Sequence, residues 1–435
     1  MAITSSVCLA FLAAIPAAAA ADSPPMAANE GRVQQRITAL SEIGANPGGG
    51  VSRLAFSDAD IAGREYIKGL MRDAGLDVRV DTAGNILGRR AGSDRSLPAI
   101  MLGSHIDSVP QGGNYDGDVG VIGAIEVAQL LHENDVATRH ALEIVSFTDE
   151  EGGTIGSRAM TSAVEPAALD VVSHSGKTIR EGIRSVGGDP DRLEEARRKP
   201  GELEAFIELH IEQGAVLDES AIDIGIVEGI VGIRWWDAIV EGVANHAGTT
   251  PMNRRRDASL SAAELILAVN RVATDMTGRQ VATVGQIRAE PGAPNVIPGK
   301  VVMSLEIRDL DATQIQRVFD AIQAEARGIA NSRQTRISFN EIDIALEPAP
   351  TDVRIRHVIA EAAAALSLTH KSMPSGAGHD SQEMTRIAPT GMIFVPSVGG
   401  ISHSPKEFTS PRAMANGVNV LLRTLLAIDD GALDR

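Results

Sequence analysis

The 435-residue chain contains a single cysteine, Cys8, and it sits in an apolar amino-terminal segment. Once that segment is set apart as a leader, the rest of the chain has no thiol. Disulfides, a cysteine nucleophile and thiolate metal sites are then excluded. Aromatic residues make up only 3% of the chain while glycine is abundant at 43 residues, so an aliphatic core with many tight turns is expected. No long basic run exists and the formal net charge is −17, which argues against nucleic acid and anionic membranes as partners. The apolar run Val7 to Ile15 is too short to anchor the chain across a bilayer. Pro16, the small residues Ala17 to Ala21 and the turn-prone Asp22-Ser23-Pro24-Pro25 follow it. Residues 1–21 therefore read as a secretory signal cleaved near Ala20 or Ala21, although no Lys or Arg precedes the apolar run. A periplasmic or secreted location is the expectation.

The length exceeds that of one average domain and predicts two. Residues 30 to 75 read as helical around a Gly-rich break at Asn46 to Gly50. Short strands follow at Leu76–Asp81, Asn85–Arg90 and Ala99–Gly103. A Gly-rich loop, a helix from Val121 to Glu133 and the apolar strand Leu142–Phe147 complete a βαβ rhythm. Such mostly parallel sheets place their chemistry in loops at strand C-termini. From about Gly225 the texture changes to strands at Ile226–Gly242, Val281–Ile287, Lys300–Asp309 and Arg336–Ile342, with amphipathic helices at Asp257–Thr274 and Ala312–Ala330. Glu347-Pro348-Ala349-Pro350 marks a return to helix, strand and helix. The expected fold is α/β: a mixed, mostly parallel sheet with helices on both faces, plus a smaller inserted α+β lid or dimerisation domain. In residue numbers this is a catalytic domain over 22–225 and 345–435, interrupted by a lid over 226–344.

Five polar clusters adjoin the apolar runs. His105 and Asp107 stand two apart at the end of an apolar strand, so they share a face there. Asp116 lies in Gly112-Gly113-Asn114-Tyr115-Asp116-Gly117, where backbone can approach it. Asp149, Glu150 and Glu151 directly follow a buried strand, and three adjacent carboxylates call for a cation. Alternation puts Glu208, His210 and Glu212 on one side of a strand, and His403 sits in a loop of small residues. Histidine with Asp and Glu is a suitable donor set for zinc or manganese. Each cluster alone also fits ordinary surface chemistry. Their joint placement beside buried strands is what favours a metal site.

At these residues the chain resembles the M20-type metallopeptidase superfamily, in its amidase/hydantoinase–carbamoylase branch. The strings carrying the resemblance are GSHIDSVPQGGNYDGDVGV, FTDEEG, ELHIEQG, NHAGTTPM, GAPNVIPG, GAGHDSQ and ISHSPKE, spread over residues 103 to 407. The branch holds N-carbamoyl-L-amino acid hydrolases, β-ureidopropionases and allantoate amidohydrolases. The resemblance implies that His105, Asp116 and His210 hold one divalent ion. Asp116 bridges to a second, completed by Glu151 and His403. Zinc is the first choice, with manganese, cobalt or nickel as alternatives. Asp107 is implied to orient His105, and Glu150 to act as general base. His246, in the lid, would stabilise the oxyanion, often across a dimer interface. Gln213 would meet the ureido or amide group. Asn295, Arg308 and the loop amides of Gly376 to Gly378 would grip the substrate carboxylate, with His379 a further candidate contact.

The resemblance thus implies hydrolysis of an N-carbamoyl-amino acid or related ureido acid by a homodimer. Two other readings stand beside it: an aminoacylase or dipeptidase of the same superfamily, and a non-catalytic, metal-stabilised binding protein of the periplasm.

Overall fold

The computed structural model describes residues 26–434, with the side chains of 343–345 left aside. The expected signal segment lies outside the described residues. The first strands are β1 (Asp77–Val80), β2 (Ile86–Arg90), β3 (Ala99–His105), β4 (Leu142–Phe147), β5 (Leu203–Ile211) and β6 (Ile224–Ile230). Then come β7 (Gly232–Glu241), β8 (Asn245–His246), β9 (Val281–Glu290), β10 (Val296–Ile297), β11 (Lys300–Asp309) and β12 (Arg336–Leu346). The chain ends with β13 (Ala349–Pro350), β14 (His370–Ser375) and β15 (Thr390–Val395), followed by the helix Pro411–Asp429.

A 9-stranded sheet runs in the order β1-β2-β4-β3-β5-β15-β6-β13, with β14 also paired to β6. Its centre is parallel: β4, β3, β5 and β15 all point the same way. The strands are apolar on both sides because helices cover both faces. Ile100 and Leu102 of β3 and Ile207 and Leu209 of β5 join a core built with the helices Asp118–Glu133 and Pro411–Asp429. Met101 and Phe206 point the other way, into a core with Met160 and Met384 of the short helices Ile155–Thr161 and Asp380–Met384.

The inserted part forms a 4-stranded antiparallel sheet in the order β12-β7-β11-β9. The helices Ala258–Asp275 and Ala312–Arg333 pack on it through Leu265, Val269, Val318 and Ile322, and Trp236 stacks on Phe319 with ring centroids 4.1 Å apart. Both helices begin at an aspartate that caps them: Asp257 accepts from the Ser259 N–H and Asp311 from the Thr313 N–H. Each such cap contributes about 1 kcal/mol.

The segment Ile226–Gly242, read from its composition as one strand, is two. β6 belongs to the large sheet and β7 to the small one, so the change of sheet falls at Val231. Both halves are rich in β-branched and large apolar residues, and no turn residue pattern separates them; their partners do. Residues 30 to 75 likewise resolve into the helices Glu30–Ser41 and Asp58–Asp73 on either side of the Gly-rich break.

Candidate active site

Because β3, β4, β5 and β15 are parallel, their C-terminal ends share one edge, and four of the polar clusters hang from it. His105 is the last residue of β3 and His210 the last but one of β5. Asp149 to Glu151 follow β4, and the loop carrying His403 follows β15. Asp116 arrives from the Gly-rich turn that opens the helix Asp118–Glu133. Gly117 caps that helix at φ 66°, and a Cβ there would lie 2.5 Å from the His105 ring, so no larger residue fits.

The five side chains converge. The two oxygens of Asp116 face different histidines: Oδ1 is 3.0 Å from His210 Nε2, and Oδ2 is 3.0 Å from His403 Nε2. His105 Nε2 stands 3.8 Å from Asp116 Oδ1, and Glu151 Oε1 lies 3.4 Å from His403 Nε2. Two ligand groups result, His105–Asp116–His210 and Asp116–Glu151–His403, with ligand atoms in each group within 4.8 Å of one another. Glu150 comes within 3.7 Å of His105 Nε2. Histidine nitrogens with carboxylate oxygens suit a divalent metal. Glu151 Oε1 is buried with no hydrogen-bond partner, as an oxygen reserved for a cation would be.

The surroundings hold these groups in place. His105 and His210 are fully buried, and their Nδ1 atoms lie 3.0 and 2.8 Å from the main-chain carbonyls of Asp107 and Ile211. Such contacts turn each Nε2 toward the cleft, where that of His210 also lies 3.3 Å from the Gly117 N–H. The expectation that the Asp107 carboxylate orients His105 needs correction. Its nearer oxygen is 3.8 Å from Nδ1, and the carboxylate instead accepts the N–H groups of Glu150 and Glu151 at 3.2 and 3.1 Å. It therefore positions the acidic turn, and its own carbonyl orients the imidazole. Asp149, Gln213 and His403 all adopt positive φ, at 56°, 59° and 53°. Strained backbone of this kind gathers at working sites.

Charge is tightly coupled here. Burial pushes Glu150 well above the carboxylate range, helped by Asp380 and Glu151, and pushes Glu151 up to about 8. Burial also lowers His105 to about 4. At His210 the burial effect is outweighed by Asp116, which raises the ring to about 9. Hydrogen bonding to Asp116 likewise raises His403 to about 9. Acids held protonated beside imidazoliums mark a pocket whose side chains alone do not balance their charge. A divalent cation would restore the ionised carboxylates and neutral imidazoles.

A cleft of ≈ 260 Å³ is lined by all five candidate ligands and by Glu150, Gln213, Gly378 and His379. Beside it lies a cavity of ≈ 730 Å³, which shares Gln213 and Ala377 with the cleft and is lined by Arg308 and Gly376. Arg308 pairs with Glu306 at 2.7 Å, not with Asp309 or Asp311, and donates to the Gly376 carbonyl at 2.7 Å across the two sheets' territories. Gln213 donates to Asp116 Oδ2 at 2.7 Å. His379 is buried, with Nε2 2.8 Å from Ser375 Oγ and its ring 4.5 Å from that of His210. His246 and Asn295 are not brought here. They sit together on the lid where β8 pairs with β10, both exposed, and line neither cleft nor cavity.

Sequence patterning also overcounted and undercounted. Glu208 is buried behind the site, taken up by the hydroxyls of Ser104 and Ser381, both at 2.6 Å. Glu212 caps the turn at Val216 and Leu217. Asp380, beside the candidate His379, is wholly buried and helps to raise Glu150. Glu407 accepts hydrogen bonds from both candidate-ligand loops, at the Asp116 and His403 N–H groups. No periodicity could reveal these two, because Asp380 meets Glu150 from a distant segment and Glu407 reaches from the His403 loop across to the Tyr115 and Asp116 N–H groups.

With this geometry in view, the chain's relatives can be set beside it. The model of peptidase family M20/M25/M40 matches residues 101–427. An N-carbamoyl-L-amino acid amidohydrolase of Geobacillus stearothermophilus is 41% identical over 405 residues, covering 92% of this chain and 98% of its own length. A ureidoglycolate hydrolase of Arabidopsis thaliana is 41% identical over 90% of this chain and 85% of its own. The crystal structure of a hydantoinase/carbamoylase family amidase from Burkholderia multivorans superposes with a TM-score of 0.85 at 36% identity, covering 93% of this chain and 98% of that one. These likenesses set aside the reading as a non-catalytic binding protein. The chain belongs to peptidase family M20/M25/M40, in its hydantoinase/carbamoylase branch, and is an amidohydrolase.

Proposed function

We propose that the protein hydrolyses the carbamoyl C–N bond of an N-carbamoyl-amino acid or a related ureido acid, using two divalent ions. One observation carries this reading: Asp116 divides its two oxygens between His210 and His403 at 3.0 Å each, with Glu150 beside the same cleft. His105, Asp116 and His210 would hold one ion, and Asp116, Glu151 and His403 the other. Zinc is the leading candidate, ahead of manganese, cobalt and nickel. When bound, such ions supply Lewis acidity toward the scissile carbonyl and make water acidic enough to attack near neutral pH.

The chain's own groups supply the rest. Glu150 accepts the proton of the attacking water and passes it to the leaving nitrogen. Its place beside the cleft, 3.7 Å from His105 Nε2, puts it within reach of a water held there. Gln213 contacts the ureido end. Arg308 and the amides of Gly376 and Gly378 hold the carboxylate, Asn295 joins them only once the inserted part has moved or a partner has docked, and His379 borders the same cleft. A guanidinium suits a carboxylate because the two can pair bidentately. His246 stabilises the developing oxyanion once the lid has moved or a partner has docked. Water adds to the carbonyl carbon and the C–N bond breaks. The products are the amino acid and carbamic acid, and the latter gives ammonia and carbon dioxide.

The cavity beside the cleft, bounded by Arg308 on the lid side and Gln213 on the other, supports a small carboxylate substrate. A homodimer is part of the proposal. The lid's β9 is an edge strand, and Leu260, Leu267 and Ile287 are exposed on the lid. Export through residues 1–21 is also proposed, and amino-terminal sequencing of secreted material tests it. No helix among the described residues is long and apolar enough to cross a membrane.

The deciding experiment compares kcat/KM for N-carbamoyl-amino acids, ureidoglycolate and allantoate against N-acetyl-amino acids and dipeptides. Ureido acids should lead. A preference for acetyl or peptide substrates would instead make the protein an aminoacylase or dipeptidase.

A further inference from the structure

We propose that Glu407 is a positioning residue that fastens the Asp116 turn to the His403 loop and so sets the distance between the two metal positions. The inference rests on the two-metal reading above, and concerns how the chain builds that pair.

Asp116 and His403 come from loops far apart in sequence, one opening the helix Asp118–Glu133 and the other following β15. No strand or helix joins them. Besides the approach of His403 Nε2 and Ser402 Oγ to Asp116 Oδ2 at 3.0 and 3.4 Å, the two loops' backbones are linked through the carboxylate of Glu407, a residue 5% exposed. One oxygen accepts the N–H groups of Tyr115 and Asp116 at 2.9 and 3.0 Å. The other accepts the Ser402 hydroxyl at 2.8 Å and the His403 N–H at 3.2 Å. All four partners are donors, and a carboxylate, which only accepts, is the side chain that can satisfy them together. The fit is close. A Cβ on Gly113 would lie 2.0 Å from Glu407 Oε1, so the turn passes the carboxylate only because that residue is glycine. The bond to the His403 N–H also helps hold that residue at φ 53°, a conformation disfavoured for a side chain of this kind.

Glutamine is a sharp probe. Its single carbonyl can serve one pair of donors, and its NH₂ then confronts the other pair. Either orientation frees one loop. Outer partners of metal ligands are typically worth about 10–100-fold in metal affinity.

The test uses the full chain, stripped of metal and titrated with Mn²⁺ by calorimetry and electron paramagnetic resonance. The unaltered protein should bind two ions and show a spin-coupled pair. Glu407→Gln should weaken one of the two ions by about 10–100-fold and give the spectrum of isolated Mn²⁺ at matched loading. Lys406→Ala, next along the same exposed loop, should keep the coupled signal. If Glu407→Ala fails to fold by circular dichroism, Glu407→Gln and Glu407→Asp decide. A coupled pair of unchanged affinity in Glu407→Gln overturns the assignment. Fewer than two ions in the unaltered protein overturns both this inference and the two-metal reading. Two ions with unaffected Glu407 variants overturns this inference alone.

Discussion

Every residue of β3 from Ala99 to His105 is buried, whereas along β11 half-buried and buried residues alternate from Lys300 to Asp309. The first strand lies in a sheet covered by helices on both faces, the second in a sheet covered on one. Charge is therefore confined differently. In the large sheet ionisable groups survive at the strand ends, where each meets a designated partner or a cation. In the small sheet they can stand on the open face, as Glu306 and Arg308 do. The difference teaches where each kind of group can sit: mutually coupled ionisable groups buried at the edge of the large sheet, and solvated ones on the open face of the small sheet.

Substitutions can break that contrast, and the largest effect is expected in the buried half. Glu150→Gln should lower kcat by about 10²–10⁴-fold while metal content is kept, as loss of a general base does. Near-normal kcat in a variant with full metal would remove Glu150 from that role. On the open half, His246→Ala should lower kcat by about 10²–10³-fold, the usual cost of one oxyanion donor. Wild-type kcat for that variant would mean that His246 stays on the surface throughout turnover. Core truncations sharpen the comparison differently. Ile207→Ala in the large sheet and Leu305→Ala in the lid should each cost about 2–5 kcal/mol in denaturant unfolding. The lid variant should lose its structure first if the lid unfolds as a separate unit, and one shared transition would show that the two parts melt together.

The smallest effect concerns pH. In metal-stripped protein Glu151 and Asp149 are raised to about 8, mainly by burial. Between roughly pH 4.5 and 8 the folded form then holds protons that the unfolded chain has released. The stability of the stripped protein should be greatest at the acid end of this window and fall as pH rises through it. Excess zinc should oppose the fall, because metal binds the deprotonated ligands. Melting temperatures with and without chelator report this. A stripped protein that gains stability up to pH 8, or a Glu151→Gln variant with the same slope, would refute it.

Much of the site could be read from residue order alone. His105, Glu151 and His210 lie at or just beyond apolar runs, where a polar side chain is costly without a use. Asp116 and His403 stand among glycines and small residues that allow close approach. The two amphipathic helices of the inserted part were legible from their apolar spacing, and the structure places them at Ala258–Asp275 and Ala312–Arg333. Glu208 and Glu212 look equivalent to His210 by alternation, but one is sealed in a cage of serines and the other caps a turn. The strand division at Val231 was invisible because the apolar run continues through Gly229 to Ile233 without a turn signal, and the two strands are separated by the sheets they pair in. Asp107 shows the same limit: its spacing from His105 was right, yet its carboxylate serves the backbone of Glu150 and Glu151.

Sequence by itself determined the alternation of apolar strands with acidic and histidine-bearing turns, the absence of thiol chemistry beyond residue 8, and the presence of a second, differently patterned part. These are local properties, set by neighbouring residues along the chain. Tertiary structure decided which turns meet, which carboxylates are spent on backbone donors, and that His246 and Asn295 stand apart from the cleft. Those outcomes depend on the parallel pairing of β4, β3, β5 and β15, which brings distant strand ends to one edge and which no local pattern encodes.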